Sequence, residues 1–322
     1  MRNRLIRVGA LAAATMALAA CGSSGAADEG EGGKPYIAIV SKGFQHQFWQ
    51  AVQQGAQQAA KEHNAKITFE GPDSETDVDE QIQMLQTALD RDPDAIGFAA
   101  LDSQASIPLM LQAEQSDIPV VAFDSGVESD VPVSTAATDN KAAAALAAKK
   151  MAEEIGGTGK VALVVHDQTS VSGIDRRDGF VEYMKQNEPG IQIVDIQYGG
   201  GDQLKSTDLA KAIMAAHPDL KGIFGANEGS AIGVVNAVKE LGKAGDLTVV
   251  GFDSGQAQIN AINSGVMTGA ITQDPIDIGY QTVKTAVDAI EGEEVPKVID
   301  TDYYWYDKSN IDDPQIQKVL YN

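Results

Sequence analysis

Two α/β domains, each on a mostly parallel sheet and facing one another across a cleft, are the fold this sequence predicts. Three observations predict it. From Lys34 onward, short runs rich in apolar, β-prone residues alternate with longer stretches of helical spacing, which is the mark of βαβ units. Most of the runs are nearly continuous in apolar residues, as strands covered on both faces are. A unit of about four strand–helix steps occurs twice, once before and once after VSTAATDN (Val133–Asn140). The nine or ten strands could make one wide sheet or two, and the repetition favours two.

In chain order, the strand-like runs are Tyr36–Ser41, Lys66–Gly71, Ala95–Asp102, Pro119–Ser125, Lys160–Asp167, Ile191–Gly199, Lys221–Glu228, Leu247–Ser254 and Gly269–Asp274. Between them lie helical stretches such as Trp49–His63, Val78–Arg91, Ala142–Gly156 and Gly229–Gly242. The last two end at glycine, a common helix stop. No short-period repeat of the solenoid type is present.

The first residues are set apart from this body. Arg2, Arg4 and Arg7 precede a short apolar run, Val8–Ala20, and together they read as an export signal over residues 1–20. A spanning helix needs about 20 apolar residues, more than this run offers. Leu18-Ala19-Ala20-Cys21 resembles a bacterial lipobox, which implies cleavage before Cys21, lipidation of its thiol and a membrane anchor. Residues 21–33 are rich in Gly, Ser and acid, too polar to join a core, and read as a flexible tether. The body therefore belongs outside the cytoplasm, anchored to the cell membrane. Cys21 is the only cysteine of the 322 residues, so the body has no disulfides. The net charge of -22 argues against nucleic acid, whose binding relies on Lys and Arg.

Ligands of open α/β sheets bind beyond the carboxyl ends of the strands. Those ends carry Ser41, Asp102, Asp124-Ser125, His166-Asp167, Asn227-Glu228, Asp253-Ser254 and Gln273-Asp274. Helix capping accounts for Asp139, Ser254 and Asp274. Asp124, Asn227, Asp253 and Gln273 point to binding, because so many polar ends facing one cleft exceed what caps require. Asp accepts, and Asn and Gln both donate and accept, a set matched to adjacent hydroxyls on a small ring. The stretch SKGFQHQFWQ (Ser41–Gln50) supplies the rest. Phe48 and Trp49 could stack on the apolar face of such a ring, and His46 or Gln45 could reach its hydroxyls, leaving Phe44 for the core. In Ser172–Phe180, Arg176 and Arg177 read as opening a helix, where a positive charge is disfavoured. Arg176 is assigned to the ligand and Arg177 to a surface pair with an aspartate.

On these residues, the chain from Lys34 to about Val298 resembles the sugar-binding proteins of bacterial ABC importers, of the ribose-binding type. The motifs that carry the resemblance are Phe48-Trp49 with Gly55-Ala56-Gln57, Ile118–Asp124, Ala137–Asn140, Arg176–Phe180, Ala216–Glu228, Val249–Asp253 and Ala270–Pro275. It implies the type I periplasmic binding protein fold, with two Rossmann-like three-layer αβα lobes joined by three crossing strands. The lobes would be 34–138 plus 274–302 and 139–273 plus 303–322, with hinges near Thr138-Asp139, Gln273-Asp274 and Asp302-Tyr303. It further implies that His46, Phe48, Trp49, Asp124, Arg176, Asn227, Asp253 and Gln273 hold a monosaccharide. The partner would be the permease of an ABC importer, and the protein a monomer without cofactor or metal. Two positions depart from the ribose pattern: Ser125 stands for an arginine and Gly201 for an aromatic. Tyr198 or His166 could supply the missing wall. The aromatic tail Tyr303–Asp313 reads as strand and hinge packing.

Other functions fit less well. No GxSxG, HExxH or P-loop is present, and His46, His63, His166 and His217 lack metal-ligand spacing, so an enzyme is not expected. A regulator of the LacI kind would carry an N-terminal helix-turn-helix and a basic face. A nucleoside or furanosyl signal as ligand, or a sugar-sensing role beside a membrane receptor, stays open as the alternative.

Overall fold

Among the described residues, 33–321 of this computed structural model, the chain forms two six-stranded sheets. The expected export signal, Cys21 and all of the tether but Gly33 lie outside those residues. The first sheet contains β1 (Tyr36–Val40), β2 (Lys66–Glu70), β3 (Ala95–Phe98), β4 (Val120–Phe123), β5 (Ser134–Thr138) and β11 (Val298–Thr301), in the order β2-β1-β3-β4-β5-β11. The second contains β6 (Gly159–Val165), β7 (Ile191–Tyr198), β8 (Leu220–Gly225), β9 (Thr248–Phe252), β10 (Gly269–Gln273) and β12 (Tyr303–Asp307), in the order β7-β6-β8-β9-β10-β12. The two orders are the same. Every pairing is parallel except β12 on β10, which is antiparallel.

Helices cover both faces of each sheet. On the first sheet, α1 (Gln47–Glu62) and α9 (Pro275–Ile290) pack on one face. The other face takes α2 (Val78–Leu89) and α3 (Ile107–Gln115). On the second sheet, α4 (Asn140–Ile155) and α5 (Val171–Asn187) lie on one side. Opposite them lie α6 (Gln203–Ala216), α7 (Glu228–Glu240) and α8 (Gln256–Asn263). This double cover explains the apolar runs: Ile37, Ile39, Val121 and Phe123 face one layer while Ala38, Val40, Ile96 and Phe98 face the other. A last short helix, α10 (Pro314–Gln317), leads to Tyr321. Its ring packs edge-on to Phe48 at 6.1 Å, while its hydroxyl accepts the Ser254 N–H.

The strand number, twelve rather than nine or ten, is a correction. The strands the apolar reading passes over are β5, β11 and β12, which sit at or next to sheet edges. The edge strands are covered less completely, and β11 shows two exposed residues in four. The chain passes between the sheets at three places, after β5, after β10 and between β11 and β12. Asp139 and Asp274 cap α4 and α9 there, accepting the Ala142 and Asp277 N–H groups. Ser254 does not cap α8, whose N-cap is Gly255; its hydroxyl instead pairs with Thr272 and the Val319 carbonyl.

Candidate ligand site between the two halves

Residues at or just beyond the carboxyl ends of β1, β4, β6, β8, β9 and β10 line one small space between the halves. His46, Phe48, Trp49 and Asp124 line it from the first half, Arg176, Asn227 and Asp253 from the second, and Gln273 from a crossing. These eight residues, which the resemblance assigns to the ligand, thus line one cavity, together with His166 and with Lys42, Glu75 and Ser172.

Asp124 and Asp253 are structural twins. Each directly follows a strand, and each donates its backbone N–H to the neighbouring strand, Asp124 to the Ala136 carbonyl at 3.0 Å and Asp253 to that of Ile271 at 2.6 Å. Both hold positive φ, 55° and 77°, a region that aspartate enters more readily than most residues but that still costs about 1 kcal/mol or more. The turn swings each carboxylate into the cavity instead of along the strand. The Asp253 carboxylate accepts from Gln273 Nε2 at 2.7 Å and from the Glu228 N–H at 2.8 Å.

Arg176 sits in the second turn of α5 rather than opening it, so the helix dipole does not explain its placement. Its guanidinium lies 3.8 Å from the Phe252 ring centroid, donates to Asn140 Oδ1 at 2.7 Å and to the Ala226 carbonyl at 3.0 Å, and stands 3.8 Å from Asp253 Oδ2. Fixed on three sides, it is a preorganised donor. Arg177 turns outward to Asp178 at 2.6 Å, as expected, and its guanidinium reaches the Tyr198 hydroxyl. Of the two residues offered for the second-half wall, His166 lines the cavity and Tyr198 does not.

The opening stretch splits by residue. Phe48 and Trp49 meet edge-on at 4.9 Å, belong to the core and also face the cavity. Phe44, expected in the core, is half-buried on the outer face against Phe69 at 5.6 Å. His46 is buried at the cavity, whereas Gln45 is exposed and accepts the Glu75 N–H. Trp49 Nε1 donates to Glu75 Oε1 at 2.8 Å.

The cavity is lined by buried charged groups. Burial pushes the Asp124 carboxyl up to about 6, against Lys42 and Arg176, which favour its ionised form. Burial would also raise Glu75, yet His46 and Lys42 beside it and the Trp49 N–H it accepts hold it below the ordinary carboxylate value. Burial, with Lys42 and Arg176 adding to it against Asp167, keeps the His166 imidazole neutral. The Nδ1 atoms of His46 and His166 and Gln273 Oε1 are buried without a protein partner.

Comparison with known proteins gives this geometry a family. A family model described as a periplasmic binding protein domain matches residues 37–294. The chain belongs to the periplasmic binding protein family. This periplasmic binding protein is 30% identical over 273 residues to the D-allose-binding periplasmic protein of Escherichia coli, covering 82% of this chain and 86% of that one. It is 28% identical to the D-ribose/D-allose-binding protein of Pseudomonas aeruginosa, over 81% and 83% of the two chains. Among solved structures, an ABC transporter solute binding protein of Agrobacterium vitis with bound D-fucose superposes with a TM-score of 0.86 at 38% identity, covering 89% of this chain and all of that one, 100%. A second from the same organism, bound to α-D-tagatopyranose, gives 0.87 at 30% identity over 90% and 100%.

The halves of this periplasmic binding protein are closed on one another, and two helix termini hold them. α1 begins without a side-chain cap of its own. Its Gln47 and Phe48 N–H groups donate to the carboxylate of Glu228, at the start of α7 in the other half, at 3.2 Å each. In return, the Gln47 side chain accepts the N–H of Gln256 at the start of α8, at 2.8 Å. Each half thus caps a helix of the other. Gly255 allows this: a Cβ there would stand 2.9 Å from Glu228 Oε1 and 3.0 Å from Gln47 Oε1. Lys42, buried at 2% exposure, adds a third tie, 3.4 Å from both the Ser170 and Ser172 hydroxyls and 3.9 Å from Asp167.

Proposed function

We propose that this protein captures a monosaccharide, a pentose, hexose or similar polyol, outside the cytoplasm and hands it to the permease of an ABC importer. The observation that carries this is the cavity between the halves, where carboxylates, amides and a fixed guanidinium stand beside two aromatic rings. Hydroxyls can satisfy the carboxylates as donors and the guanidinium as acceptors. Phe48 and Trp49 provide the apolar wall. Asp124, Asp253, Asn227, Arg176, Gln273 and His46 read the hydroxyls. The named ligands of the relatives, D-allose, D-ribose, D-fucose and tagatose, support a sugar of this size. Capture without turnover, a monomeric body and anchoring through a lipid on Cys21 belong to the same reading.

Closure is the working step. Sugar docks on one half, and the other closes because the ligand adds contacts there. The test is a thermal-shift screen of the purified protein against pentoses, hexoses, inositols, nucleosides and a sugar phosphate. At about 1,000 times its dissociation constant, a ligand adds roughly 4 kcal/mol of stability. The expected result is a shift of several degrees with a monosaccharide. A shift with a nucleoside alone overturns the sugar assignment.

A further inference from the structure

We infer that Glu75 is a ligand-reading group of the cleft, restricting the cargo to an uncharged sugar with a hydroxyl on the side facing it. This rests on the capture reading above. Glu75 lies in the β2–α2 loop, where its neighbours Asp73, Thr76 and Asp77 are exposed. Glu75 itself is 8% exposed and lines the cavity. One carboxylate oxygen is fixed by Trp49 Nε1 at 2.8 Å. The other has only distant partners, Asn227 Nδ2 at 3.4 Å and His46 Nε2 at 3.8 Å. A carboxylate offers about four acceptor sites, so this oxygen keeps capacity for a donor inside the cavity. A ligand hydroxyl is such a donor, and a hydrogen bond to a carboxylate is among the stronger ones.

Room for the carboxylate comes from across the cleft. Gly201 holds φ of 69°, and a Cβ on it would stand 2.8 Å from Glu75 Oε2. A side chain at 201 would push the Glu75 carboxylate out of this position. Its charge then sets the ligand class. Glu75, Asp124 and Asp253 line the cavity against two basic side chains, Lys42 and Arg176. A carboxylate or phosphate on the ligand would join an acidic majority among buried groups, where like charges repel strongly.

The experiment is calorimetric titration of the full protein and its Glu75→Gln variant. The probes are D-ribose, D-allose, D-fucose and D-arabinose, then the monodeoxy analogues and the sugar acid of whichever binds most tightly. The expected result is about a tenfold or greater loss of affinity for the parent sugar in the variant. One deoxy analogue should lose a similar factor on the wild type and nothing further on the variant. The sugar acid should bind the wild type far more weakly than its parent, and the variant should narrow that gap. Wild-type affinity in the variant overturns the inference. So does a uniform loss across parent and every deoxy analogue, which marks a structural role, and a melting curve of each protein checks that both are folded. A wild type silent to all four sugars removes the capture reading as well; a wild type that binds beside a variant without discrimination removes this inference alone.

Discussion

At Asp124, the site is built at the expense of the unliganded fold. Its carboxyl is raised from 3.8 to about 6, chiefly by burial. A group with a raised folded pKa contributes stability below its unfolded value and loses it as pH climbs through the folded one. Asp124 therefore makes the empty protein less stable as pH rises from about 4 to about 6. His166 has the opposite sign: burial lowers it, so stability is lost as pH falls below its ordinary value of 6.5. The two slopes offset one another. Asp124→Asn should raise the stability of the unliganded protein at pH 7 by up to about 3 kcal/mol, with no gain near pH 3.5, and should leave the acid loss from His166 steeper. Denaturant titrations across that range check this, and an equal effect at both ends would remove the carboxyl as the cause. Residues such as Asp124 and Asp253 were legible because a polar residue ending an apolar run stands out. Lys42 and Glu75 were not. A lysine in a turn and a glutamate in PDSETD (Pro72–Asp77) both read as solvated. Their burial is decided by Ser170, Ser172 and Gly201, more than a hundred residues away in sequence.

At the level of elements, closure runs through helix termini. The Glu228 N–H donates to Asp253, and the Glu228 side chain caps α1, so a group at the ligand and a tie between the halves share one residue. A helix cap contributes about 1 kcal/mol. Glu228→Ala should weaken ligand binding about fivefold, through faster release rather than slower capture. Stopped-flow binding separates the two, and a change confined to the association rate would count against the tie. Gly255→Ala should act in the same direction by crowding both side chains. Helices and central strands were readable from their periodicity and apolar runs. The crossing strands β5, β11 and β12 were harder, since an edge strand keeps one side open and carries a mixed pattern. Arg176 lines the cavity, but the dipole argument for it fails: it lies in the second turn of α5, and Phe252 and Asn140, not the dipole, position it.

For the molecule as a whole, two sheets of the same strand order meet through three crossings, which permits bending there without unfolding either half. The closed form shown here should dominate only with sugar present. Small-angle scattering should then report a smaller radius of gyration at saturating ligand than without it, and an unchanged radius would sink the hinged-capture reading. The crossings also order the making of the protein. α9 and β11, which complete the first half, come after all five parallel strands of the second. Until they are synthesised, Val52, Ala56 and Ala59 of α1 lack the cover given by Ile278, Val283 and Ala286. The first half cannot finish folding while the ribosome is still working on the second. Such a delay keeps the nascent chain loose, the state in which a polypeptide can be threaded through a membrane before it locks.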